Sequence, residues 1–168
     1  MTIPPRSAWA GATIIAVVIV AAVAWRLLTP AEERVVRGRL AALVDDFNDP
    51  SEGPASLAKA IVLASYFTED VRVDLASGGP PIVGREALIG AAASVRSHAP
   101  DTRARIERMA VSIDDSGTSA NVRLTASLIG RDASTNEETR DERDFALVLT
   151  KADGTWRIAR VTATDVPS

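Results

Sequence analysis

"SYFTEDVRVDLASGGPPIVGREAL", residues 65–88, passes from the end of one helix through a strand and a sharp corner into another helix. Val71, Val73 and Leu75 alternate with Arg72 and Asp74, the period of a short half-buried strand. Ser77-Gly78-Gly79-Pro80 turns the chain, and Pro81 to Val83 adds a brief edge strand. Gly84 leads into a helix predicted from Arg85 to about His98, stopped by Pro100 and Asp101. A strand set between helices calls for a sheet with helices laid against it, and the flanking sequence supplies both.

Upstream, Thr29-Pro30-Ala31-Glu32 fits a capping box, with a hydroxyl at the N-cap, proline at the first helical position and Glu at the third. The helix that follows, from about Pro30 to Phe47, carries Val36, Leu40, Leu43 and Phe47 as one apolar stripe. "NDPSEGP" breaks it, and a second helix covers roughly Ala55 to Tyr66. Downstream the period switches to two. Met109, Val111 and Ile113 end one strand; Ala120, Val122, Leu124, Ala126 and Leu128 alternate through the next. A polar loop, "GRDASTNEE", precedes Phe145, Leu147 and Leu149. "KADG" reads as a hairpin turn into a last strand, Trp156 to Thr164. The expected architecture is α+β: three N-terminal helices packed on a curved antiparallel sheet.

The N-terminus reads differently. Ser7 to Trp25 is free of charge for nineteen residues, with Trp9 and Trp25 near its ends. As a helix it would reach about 28 Å, close to the hydrocarbon thickness of a bilayer, and tryptophan favours the two interfaces. A single transmembrane anchor at residues 7–28 is expected, so the chain divides into 1–28, tail and anchor, and 29–168, one domain. A cleaved signal peptide is the rival reading, since Ala22-Val23-Ala24 resembles a cleavage site. Counting Arg26, Arg34, Arg37 and Arg39 against Arg6 favours a cytoplasmic domain. Glu32 and Glu33, however, stand among those arginines, and Glu33 has i, i+4 spacing to Arg37, which weakens that count.

Composition narrows the function. All 22 acidic residues follow Thr29, against 17 of the 19 basic ones, so the domain carries about −5 and offers no footprint for nucleic acid. No cysteine is present, which removes disulfides, thiolate chemistry and Cys-based zinc sites. Gly78-Gly79 is not a phosphate loop, and no cofactor is expected.

Three strings, "LASYFTEDVRVDL", "GGPPIVGREALIGAA" and "DGTWRIARVTA", together with the order of elements, resemble the nuclear transport factor 2-like superfamily and its SnoaL-like members, over about residues 30–165. The resemblance implies a curved sheet wrapped around a long helix to form a cone with a pocket. It implies no single activity, because isomerases, cyclases, dehydratases and hydrolases share the superfamily with non-catalytic binding domains. The chain also resembles a bacterial subset in which one N-terminal helix tethers such a domain outside the cytoplasm. On that ground the expected location is the cytoplasmic membrane, with the domain periplasmic.

Enzymes of the superfamily place ionisable groups on the concave face. Continuing the inward series at period two reaches Glu107 from Met109, Arg143 from Phe145 and Arg160 from Ile158. An acid held by two arginines can act as a general base or an anion clamp; the same residues also suit a solvent-exposed ion-pair network at the rim. Tyr66, Phe67, Met109, Leu124, Phe145 and Trp156 are the expected pocket lining. His98 reads as a helix-end cap, and Asp45-Asp46 and Glu69-Asp70 as solvated helix-end acids without metal-site spacing. These readings point to a membrane-tethered, non-enzymatic binding or scaffolding domain of the bacterial cell envelope. It would take a small apolar ligand, an envelope protein or a second copy through the sheet. The alternative is a SnoaL-like isomerase, hydratase or cyclase acting on a small organic molecule in the cone.

Overall fold

The computed structural model describes residues 31–49, 55–75, 78–98, 101–131 and 137–165. The expected membrane span lies outside them, as does the Thr29 cap. No helix among the described residues is long and apolar enough to cross a membrane. Among the described residues three helices, α1 (Ala31–Asn48), α2 (Ala55–Ala64) and α3 (Arg85–His98), accompany six strands: β1 (Phe67–Asp74), β2 (Ile82–Val83), β3 (Arg103–Ile113), β4 (Ser119–Arg131), β5 (Glu138–Ala152) and β6 (Thr155–Asp165). The side chain of His98 falls outside the described part of α3.

The strands form one sheet in the order β2-β1-β6-β5-β4-β3. Consecutive hairpins make β3 to β6 an antiparallel meander. The β5–β6 turn is tight, with Asp153 and Gly154 both at positive φ (52° and 73°), as a two-residue type I′ connection requires. The sheet is mixed, where a wholly antiparallel one is expected from the sequence: β1 runs parallel to β6. Alternation reports that a strand has one buried face. It carries no information about which strand lies beside it or in which direction. Gly84 completes the β1–β2 corner: at φ 89° its N–H donates to the Val71 carbonyl at 2.8 Å, and its own carbonyl accepts from Leu88 in the first turn of α3. Positive φ is readily available there only to glycine.

The inner face of the sheet holds α1. Val36 and Leu40 from the apolar stripe meet Ala120, Val122, Leu147, Leu149, Trp156 and Ile158, all buried. Three polar attachments run along the same helix. Near its start, both Glu32 oxygens are occupied: Oε2 accepts the Trp156 indole N–H at 2.9 Å and Oε1 accepts from Lys151 Nζ at 2.6 Å. One turn on, Arg37 pairs with Glu33 at 2.6 Å and donates through Nη1 to the Met109 carbonyl at 2.9 Å. At the far end Asn48 grips Ala104 twice, its amide donating to the carbonyl (2.8 Å) and its oxygen accepting from the N–H (2.7 Å). Met109 and Ala104 lie on β3, an edge strand, so α1 covers backbone groups that would otherwise invite another strand.

Two outcomes follow from these attachments. Asn48→Ala leaves both Ala104 groups without their side-chain partners and should lower stability by about 1–2 kcal/mol, measured by urea unfolding. The hydrogen bonds from Lys151 and then Trp156 hold the Glu32 carboxyl below the usual glutamate range. Its contribution is therefore present above the ordinary glutamate pKa and is lost as pH falls through the lowered folded value. Melting temperatures taken across the acid range should show Glu32→Gln less stable near neutrality, with the gap to wild type closing on acidification. A gap independent of pH would contradict this.

Candidate active site

The strand registers decide which side chains share the inner face. Met109, Leu124, Phe145 and Ala163 stand opposite one another across four strands, and the next row holds Val111, Val122, Leu147 and Val161. In the other direction lie Ile106, Ala126 and Arg143, then Ala104, Leu128 and Asp141. Cover thins along this series: Leu149 is fully buried, Met109, Leu124 and Phe145 are partly buried, and Leu128 is 40% exposed. The inner face therefore has a filled end near Trp156 and an open end near Leu128. Of the expected lining residues, Trp156 is sealed into the core, Phe67 packs against it, and Met109, Leu124 and Phe145 form one row between the two ends.

The expected acid with two arginines does not assemble. Glu107 sits at an irregularity in β3, where Ile106 pairs with Ala126 but Arg108 already pairs with Thr125. That extra residue reverses the alternation. Ile106 and Met109 both face inward, and the Glu107 carboxylate bonds the outer-face residue Ser127 (2.8 Å) and Arg140 (2.8 Å). A second irregularity in β6, between the pairs Leu149–Ile158 and Val148–Arg160, sends Arg160 to the outer face with Val148. Only Arg143 keeps inward parity, and it pairs with Asp141 at 2.9 Å. The sequence does carry a sign of both bulges: the inward apolar residues are spaced by three, Ile106 to Met109 and Ile158 to Val161, instead of by two.

The ionisable groups that do converge come from α1 and the approach to β1. Arg39 and Asp46 are seven residues apart, two helical turns, and so lie along one stripe of α1. Tyr66 stands between them. Its hydroxyl donates to Asp46 Oδ2 at 2.6 Å, and the Arg39 guanidinium lies 4.0 Å from its ring centroid. Arg39 also donates to the Ser65 carbonyl at 3.2 Å, while its Nε is buried without a hydrogen-bond partner among the described residues. Lys59 from α2 approaches Asp46 at 3.6 Å and Asp49 at 2.6 Å. The Tyr66 backbone is fixed by the Ile158 N–H, which donates to its carbonyl at 2.8 Å.

Burial, and secondarily the bond to Asp46, raises the Tyr66 pKa above its ordinary value, so the phenol remains a proton donor at neutral pH. The Asp46 side chain retains 32% of its exposure, enough to touch a ligand. Asp46 lies two residues before Asn48, on the opposite side of α1 from it, and the Tyr66 backbone is bonded to Ile158, so the pair sits on the flank of α1 that faces the start of β1. A neighbouring carboxylate, phenol and guanidinium can remove a proton, return it and stabilise negative charge on oxygen. Among the described residues no group of three His, Cys, Asp or Glu side chains is placed to hold a metal ion. Sequence reading found Tyr66 but missed its partners, because only the seven-residue spacing hints that Arg39 and Asp46 act together.

Solved structures share this fold. A nuclear transport factor 2-like protein with a cystatin-like fold from Novosphingobium aromaticivorans superposes with a TM-score of 0.66 at 15% identity, over 88% of this chain and 89% of that one. A candidate scytalone dehydratase from the same organism gives 0.65 at 20% identity, over 82% and 89%. A candidate polyketide cyclase from Xanthomonas campestris gives 0.52 at 18%, over 81% and 93%. No curated protein matches the chain in sequence. Residues 58–162, more than half of the chain, match the SnoaL-like domain family. With the cone-like α+β fold, three helices on a mixed sheet, this match makes the chain a member of that family.

Proposed function

We propose that this SnoaL-like domain takes a small, largely apolar organic molecule into its cone and acts on it by acid–base chemistry, as an isomerase, hydratase or cyclase. The observation that carries the reading is the 2.6 Å bond between Tyr66 and the partly exposed Asp46 beside the Arg39 guanidinium. The Asp46 carboxylate takes a proton from carbon next to a carbonyl. The Tyr66 hydroxyl, in the field of Arg39, turns its one proton from Asp46 to the enolate oxygen as Asp46 becomes protonated, and the proton returns from Asp46 to a different carbon. The apolar row Met109–Leu124–Phe145 would seat the carbon frame. Structural neighbours named for dehydratase and cyclase activities support this class over a purely passive domain.

Solvent deuterium exchange into a panel of enolisable ketones and hydroxylated aromatics, followed by NMR, tests the base across the whole substrate class. Wild type should accelerate exchange for at least one compound. Asp46→Asn should lower that rate by about 10²–10⁴-fold, and Tyr66→Phe should lower it less while leaving binding intact. Exchange that is undiminished in Asp46→Asn, or absent with every compound, would remove the acid–base reading. The second outcome would favour a binding or scaffolding domain, for which the exposed Ile61 and Val62 on α2 (64% and 43%) offer a contact with an envelope protein.

We also propose that residues 7–28 tether the domain to the periplasmic face of the cytoplasmic membrane, supported by the uncharged run and its flanking tryptophans. An export-dependent reporter fused after Ser168 should be active and a cytoplasm-dependent one silent. The reverse pattern, with the fusion intact and membrane-bound, would invert the orientation.

A further inference from the structure

The outer face of the sheet carries a second feature, separate from the Tyr66–Asp46 pair. Where β1 meets β6, a hollow of about 320 Å³ is lined by Thr68, Glu69, Arg85, Thr150, Ala152 and Arg157. Arg157 faces outward because its neighbours Trp156 and Ile158 are both buried on the inner side, and Thr150 opposite it does likewise beside Leu149.

Two atoms of this lining, Arg85 Nε and Thr68 Oγ1, are buried and have no hydrogen-bond partner among the described residues. Arg85 is held in place by its other nitrogen, Nη2, which donates to the Phe67 carbonyl at 2.8 Å. Arg157 makes no hydrogen bond or ion pair among the described residues. A guanidinium N–H can only donate, and a hydroxyl needs an acceptor for its proton. Buried groups of this kind are ordinarily satisfied, yet the one carboxylate in the hollow, Glu69, is exposed and closes on neither. Three donors around one hollow, two of them arginines, define the complement of an oxyanion. The next hollow along the same seam is lined by Asp70, Arg72 and Arg160, and Arg72 pairs with Asp74 at 2.9 Å, so the charges there largely offset one another and the oxyanion complement is confined to the first hollow.

We infer that this outer-face hollow is a binding site for the oxyanion group of a small ligand, a carboxylate or a phosphate, held by Arg157, Arg85 Nε and the Thr68 hydroxyl. Glu69 opposes the charge and turns outward as the ligand enters. The site is independent of the proposed acid–base pair, from which the sheet separates it.

Calorimetric titration of the full chain in detergent micelles, with inorganic phosphate and separately with benzoate, tests the inference and distinguishes the two oxyanions. At least one probe should bind saturably. Arg157→Gln should weaken binding about tenfold or more, the loss of one charge-assisted hydrogen bond, and Thr68→Val should weaken it less. Glu69→Gln should tighten binding, a change that misfolding cannot mimic. Arg123→Gln, an exposed outer-face arginine on β4 away from the seam, should have no effect. Absence of saturable binding by either probe, unchanged affinity in Arg157→Gln, or an equal loss in Arg123→Gln would overturn the site.

Discussion

The lie of α1 across the inner face is the constraint from which the other features follow. Its apolar stripe alone would let the helix slide or roll, because hydrophobic burial is non-directional. Glu32 on Trp156 and Lys151, Arg37 on the Met109 carbonyl and Asn48 on Ala104 fix it at three levels. Once it is fixed, its flank presents Arg39 and Asp46 to Tyr66. The same attachments cover the β3 edge, so one helix closes the core, guards the sheet and positions the candidate base.

The two bulges do the complementary work on the sheet. Each adds one residue, increases the local twist and exchanges the faces of everything beyond it. In β3 the exchange keeps Ile106 and Met109 together on the apolar side and turns Glu107 toward Ser127 and Arg140. In β6 it keeps Ile158 and Val161 inside and places Arg160 outside. The inner wall stays apolar through both irregularities. Charge is left at the open end, where Arg143 meets Asp141.

The two proposed sites lie on opposite surfaces of one sheet. On one side, a carboxylate, a phenol and a guanidinium meet between α1 and the start of β1, an arrangement suited to proton transfer. Outside, unmatched donors collect along the β1–β6 seam. The parallel pairing of β1 with β6 creates that seam, because it brings Thr68 and Arg85, from the first strand and the third helix, alongside Arg157 from the last strand.

What the sequence determined by itself is what near neighbours along the chain control. The three helices, the stripe of Val36 and Leu40, the Lys151–Gly154 turn, the Gly84 corner and the apolar rows of β4 and β5 all follow from propensity and periodicity within a few residues. The mixed sheet, the two changes of face and the Tyr66–Asp46–Arg39 grouping were decided only in the tertiary structure. Parallel docking of β1 on β6 joins residues about ninety positions apart, Phe67 and Ile158 among them. A bulge is adopted because it lets both flanking apolar residues reach the same core, and that gain exists only once the core has formed. Side chains such as Tyr66 and Asp46 converge for the same reason: their meeting depends on where α1 packs, and α1 is placed by strands that come later in the chain.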